Sequence, residues 1–332
     1  MSALDSAPRT RVITVSNATI VLNVGLIAAG AAVLFSLLTR TTAASTDIGP
    51  LPIAIALVAL IVGIPHGAVD NLTITRQLST AQRLAGALIY LAVAAVAALA
   101  IITWPGWAFV AVLAMTVWHF GTGDVEATRE LQNLPPLGSW FRIPYAIALG
   151  SAPVLLPLTS PAAIATLTAI EPRLATVLSE PVIIGTRIGV LTLIVICLLW
   201  LIQRGDIRGA IELFALAVLG YIASPLVAFA VYFGLWHALR HTARLALATQ
   251  GSITLRSLLQ VSRGGVPSVL GFVIVVLVAA IFFDPTLAVG PMLWFGLAII
   301  WGLTVPHMAL VSRFDARMRA REIKVSELAA HE

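Results

Sequence analysis

Apolar residues run along this chain in long stretches, broken only by short clusters of Arg, Pro, Gly and Ser. Runs of about 17–25 such residues are long enough to cross a bilayer as helices. The pattern predicts spans near residues 17–38, 51–75, 83–103, 106–126, 141–158, 182–202, 209–223, 225–247, 265–283 and 290–312. The fifth and seventh are the weakest, being short and interrupted by Gly, Ser or Pro. Residues 159–181 read as an outer loop carrying an interfacial helix. The expected fold class is all-α: a polytopic integral membrane helical bundle of about ten transmembrane helices, since only such elements satisfy their own backbone in lipid. Residues 1–16 then form an N-terminal tail, 17–312 the transmembrane domain, and 313–332 a basic C-terminal tail.

Composition sharpens this picture. Hydrophobic residues make up 59% of the chain and charged residues only 11%, against about 25% charged in soluble domains. No polar stretch is long enough to fold as a separate soluble domain. Residues 1–16 lack a signal-peptide core and cleavage site, so that segment is expected to be retained. The net charge is +5, and Lys324 is the sole lysine among 20 cationic residues. The arginines punctuate the spans, so they set topology rather than bind nucleic acid. Arg9, Arg11, Arg76, Arg83, Arg129, Arg204, Arg208, Arg244, Arg256, Arg263 and the Arg313–Lys324 tail fall on one side, while Arg40 and Arg173 fall on the other. The positive-inside rule then places both termini of this multi-pass membrane protein in the cytoplasm. The one cysteine, Cys197, excludes an intramolecular disulfide and argues against a thiolate metal site.

The candidate chemistry lies in the histidines. His66 (GIPHGAVD), His119 (VWHFGTGD), His237 and His241 (LWHALRH) and His307 (TVPHMAL) all stand inside membrane-length segments. An ionisable side chain there is costly and marks a candidate functional site. Measured from the outer ends, all five lie roughly 18–26 Å down their spans, a matched depth that convergence on one site would produce. His237 and His241 are four residues apart, which stacks them on one helix face. Pro65 and Pro306 free local backbone beside their histidines. Gly63, Gly67, Gly121 and Gly123 allow close approach or room for a substrate. Asp70, four residues after His66, is placed to orient an imidazole.

A single intramembrane histidine is as often a packing residue, but a matched set is not. Arg240, His241 and Arg244 also read as an interfacial basic cluster. Asp124 lies about 140° around the helix from His119, so capping or a loop contact is expected of it. Glu212 reads as a helix-start residue favouring the dipole. Trp118, Tyr232, Phe233, Trp236, Trp294 and Trp301 flank the histidines and are candidates for a substrate wall, although membrane aromatics usually pack or anchor.

All-imidazole coordination suits Fe, Cu, Zn or Ni. An Fe(II) centre with open positions would bind dioxygen beside an apolar substrate, whereas a structural Zn site would be closed. Other readings compete. A bis-histidine haem carrier would clamp a porphyrin between facing imidazoles. A diiron desaturase would need more clustered histidine pairs than the one present. A transporter would carry acidic groups and a broken-helix repeat.

The ordered set PHGAVD, WHFGTGD, WHALRH and PHM resembles the Brp/Blh family of membrane β-carotene 15,15′-dioxygenases, from the second span to the last. The resemblance implies a non-haem iron enzyme that uses O2 to split the central double bond of β-carotene into two all-trans-retinal. It carries the iron-ligand role onto His66, His119, His237 and His241, with His307 beside them as ligand or as support for one. Carotene, O2 and the lipid bilayer are the implied partners, and the product could supply a microbial rhodopsin. An oxygenase for another carotenoid or apolar lipid is the alternative. Val69 stands where Leu is expected, and Ala238 where Ser is common, which removes a possible hydrogen bond beside a ligand.

Overall fold

The computed structural model describes residues 15–39, 54–55, 58–59, 61–63, 79–282 and 289–329. Helices dominate, and no strand is present among the described residues. In chain order they are α1 (Val15–Thr39), α2 (Thr80–Thr103), α3 (Pro105–Leu131), α4 (Ser139–Leu158), α5 (Pro161–Ile170), α6 (Glu180–Gln203) and α7 (Ile207–Ile222). The chain continues as α8 (Pro225–Ala230), a π-helical stretch Val231–His237, α9 (Ala238–Gln250), α10 (Leu255–Phe282) and α11 (Val289–Ala329).

Local sequence explains the boundaries. Ser79 and Gln82 form a reciprocal capping box at the start of α2. Pro105 cannot donate a helical hydrogen bond, so α2 ends at Thr103 and α3 begins at once with Pro in its first turn. Asp206 caps α7 through the Gly209 amide at 2.9 Å. Gly251, with φ of 74°, takes the left-handed conformation that closes α9.

A helix stands at every expected span except 51–75, which lies mostly outside the described residues. By length and composition, six of the described helices could cross a membrane: Asn17–Thr39, Thr80–Thr103, Pro105–Leu131, Ser139–Leu158, Glu180–Gln203 and Leu293–Arg313. This is an all-helical chain with the apolar helices of a membrane protein. Two others fall short for local reasons. α7 has only 16 residues, and α9 carries Arg240, His241 and Arg244. In the 159–181 segment α5 is followed by a 3-10 turn, Pro172–Thr176. There Arg173 donates to both Glu171 oxygens at 2.8 and 2.7 Å, which holds that carboxyl below its usual range.

α2 and α6 expose rows of apolar side chains, including Leu84, Leu88 and Leu91, and Ile188, Val195 and Leu199. α3, α4 and α7 are instead packed inside. Small residues bring these inner helices together. A Cβ on Gly121 would overlap the Ala146 carbonyl oxygen of α4, and one on Gly150 would overlap the Val117 carbonyl oxygen of α3. Gly121→Ala must therefore push α3 and α4 apart. It is expected to cost about 1–3 kcal/mol, read as a lower midpoint of thermal unfolding in detergent. Gly30→Ala, where nothing lies within 4 Å, should instead be neutral or slightly stabilising.

Candidate metal centre

The second half of α3 carries the first histidine. Residues 119–128 are buried at every position, so each face of this stretch meets protein and none meets lipid. On one side α9 and the π-helical stretch approach it, and on another α11 does. Three elements thereby bring three imidazoles together. The His119 ring centroid lies 5.3 Å from that of His237 and 5.2 Å from that of His307. His241 stacks on His237 at 6.3 Å with a 9° interplanar angle, as residues four apart on a helix should. All four rings are buried. His66 and Asp70 lie outside the described residues. Among the described residues, no three His, Cys, Asp or Glu side chains close on a common point as a ready-made metal cluster.

Asp124 is the residue that sequence reasoning misplaced. Rather than capping a helix, it is 1% exposed and hydrogen-bonds to His237 Nδ1 at 2.9 Å. Its other oxygen accepts from the Tyr232 hydroxyl, also at 2.9 Å. The 140° offset from His119 holds, but the partner sits on another helix, so the face shared with His119 was the wrong criterion. The signal was present in the sequence: an acidic residue inside an apolar span is itself a candidate functional group.

The π-helical stretch explains how Tyr232 and His237 both reach Asp124. Residues five apart diverge by about 140° in an α-helix. A π-turn is wider, with i→i+5 hydrogen bonds, and draws such residues toward one face. Phe120 packs on His237 at 4.5 Å and on Tyr232 at 5.1 Å. A Cβ at Gly123 would come within 3.3 Å of His237 Cε1. The His237 ring is thus bounded at Nδ1, on one face and at one edge.

Behind the histidines lies an ion network. Arg240, fully buried, donates from Nη1 and Nη2 to the two Glu212 oxygens at 2.9 and 3.1 Å. It also donates to Thr128 at 2.9 Å and lies over the Trp236 ring at 4.0 Å. Arg208 donates to Glu212 at 2.8 Å. Arg244 grips Glu130 with two bonds of 2.8 and 2.6 Å. Glu212 is therefore a buried counter-ion, not a dipole residue, and Arg240 and Arg244 do not form an interfacial patch. Buried carboxylates prove more numerous than the apolar spans suggested.

The aromatic candidates divide by location. Trp118 is half-exposed and Trp236 is enclosed beneath Arg240. Phe233 stacks on Phe229 at 5.2 Å, and a Cβ on Gly63 would overlap its ring. Trp294 meets Trp301 at 5.8 Å, and Trp301 meets Phe109 at 5.6 Å. Trp294 also lines a cavity of about 550 Å³ with Ile102, Ile170 and Phe295.

The donor set fits a first-row divalent metal in kind. It offers several buried imidazoles, one of them backed by a carboxylate, and the chain's one cysteine, Cys197, is packed among the apolar side chains of the main core. Residues 57–315 match the family model described as beta-carotene 15,15′-dioxygenase. The chain belongs to this family. No curated protein and no solved structure matches it. The match begins before the motif of His66 and ends after His307, so every histidine motif falls inside the matched region.

Proposed function

We propose that this family member cleaves the central 15,15′ double bond of β-carotene with O2 at an Fe(II) centre, giving two all-trans-retinal. The observation that carries the reading is the meeting of His119, His237 and His307 from separate elements inside a buried, aromatic-lined bundle. The iron would be held by His119, His237 and His241 with His66, and by His307, whose ring stands as near His119 as that of His237 does. When bound, Fe(II) supplies the redox chemistry by which dioxygen is activated toward an alkene.

The chain's own residues do the rest. Phe120, packed on His119 and His237, and Phe233, packed on Phe120, keep the surroundings apolar, which suits a polyene and excludes water. Positioning a rod-like substrate supplies much of the rate, because the reacting bond need not find the centre by diffusion. The substrate is dissolved in lipid, so lateral entry between helices needs no aqueous path. Insertion of both oxygen atoms into two aldehydes balances without an external acid or base. Retinal would leave by the same apolar route and could load a rhodopsin.

The test uses detergent-purified protein loaded anaerobically with Fe(II), followed by β-carotene and air, with products separated by chromatography. Retinal as the sole product supports the reading. Longer and shorter apocarotenals in pairs would overturn central cleavage. Bound iron without any cleavage would overturn the substrate, and failure to bind iron would overturn the metal.

A further inference from the structure

We infer that Asp124, braced by Tyr232, is the positioning residue that sets which nitrogen His237 offers to the centre. This rests on the metal reading above and extends it to a carboxylate on α3 that belongs to none of the histidine positions. Both Asp124 oxygens are committed, one to His237 Nδ1 and one to the Tyr232 hydroxyl, each at 2.9 Å. A carboxylate in its ionised form only accepts hydrogen bonds, so in that form Asp124 selects the tautomer with the proton on Nδ1 and the lone pair on Nε2. With Nδ1 engaged by Asp124, Nε2 is the nitrogen that His237 would offer to a metal.

The brace matters because Asp124, His237 and Tyr232 are all within 2% of full burial. A carboxylate held by one neighbour could rotate about its terminal bond, whereas one held at both oxygens by groups on the same π-helical stretch cannot. The π-turn is the local device that makes this bidentate arrangement possible, since it brings residues 232 and 237 toward a common face. Phe120 against the ring and Gly123 at its edge remove the remaining freedom of the imidazole. Such partners of metal-bound histidines raise ligand basicity and fix orientation, and losing one typically costs about 10–100-fold in metal affinity.

The experiment measures Co(II) binding to the metal-free full-length protein in detergent, by competition with a chelator and by the visible absorption of the bound ion. Thermal unfolding of each metal-free variant is measured alongside. In Asp124→Asn, affinity should fall about 10–100-fold while the metal-free unfolding midpoint stays near wild type. Tyr232→Phe removes only the brace, and should weaken binding in the same direction by less, with a changed Co(II) spectrum. Unchanged affinity in both variants overturns the inference, as does a fall in metal-free stability with affinity preserved. If Asp124→Asn does not fold, Tyr232→Phe decides alone. Wild-type protein that binds no Co(II) would overturn the metal reading itself, a result distinct from equal binding by wild type and variants.

Discussion

In His237→Ala, bound iron and retinal formation are expected to disappear together. His237 makes four of the contacts that define the centre: His119 at 5.3 Å, His241 at 6.3 Å, Asp124 at 2.9 Å and Phe120 at 4.5 Å. Truncation removes a donor and also frees the carboxylate that oriented it. The loss should exceed the roughly 10–100-fold cost of losing an outer partner alone. Elemental analysis for iron and chromatography for retinal, on the same preparation, make the measurement. Iron retained with product lost would move His237 from the metal to the substrate. Product retained would remove it from the centre altogether.

Glu212→Ala is expected to be among the most destabilising single substitutions in the chain. Glu212 is fully buried and pairs with Arg240, also fully buried, and with Arg208. Removing the carboxylate strands a guanidinium where water cannot reach it, at a cost of about 3–5 kcal/mol. The double replacement Glu212→Leu with Arg240→Leu should recover part of that loss, because an apolar pair leaves no uncompensated charge at that position. Thermal unfolding in detergent reads both. If Glu212→Ala unfolds at the wild-type midpoint, the pair contributes nothing net. Arg240 lies between His237 and His241 in sequence, so a loosened network should also weaken metal binding. The pairing with α7 keeps that turn from rotating, and rotation would turn both imidazoles away from α3.

The spans were legible because lipid imposes a blunt rule. A helix needs a long apolar run, and few other uses of the chain produce one. α1, α2 and α6 could be read in this way to within three residues at each end. The short α7 and the polar α9 were harder, since their character comes from neighbours rather than from lipid. The histidines were legible for a related reason: an ionisable group in an apolar span stands out against its background. Asp124, Glu212 and Arg240 stand out equally. What they do depends on which helix lies opposite, and periodicity along a single helix carries no information about that.

The sequence by itself determined an apolar helical chain with histidines set into its spans, because burial in lipid constrains composition one residue at a time. Its ordered motifs also pointed to the family that the match over residues 57–315 establishes. Only the tertiary structure decided that His307 stands beside His119, and that Asp124 orients His237 with Tyr232 as its brace. It also decided that Glu212 neutralises a fully buried Arg240 rather than a helix end. Those assignments are pairwise contacts between elements far apart in the chain. They come from how the helices pack and where a π-turn changes the register, and neither is written in the hydropathy of any one segment.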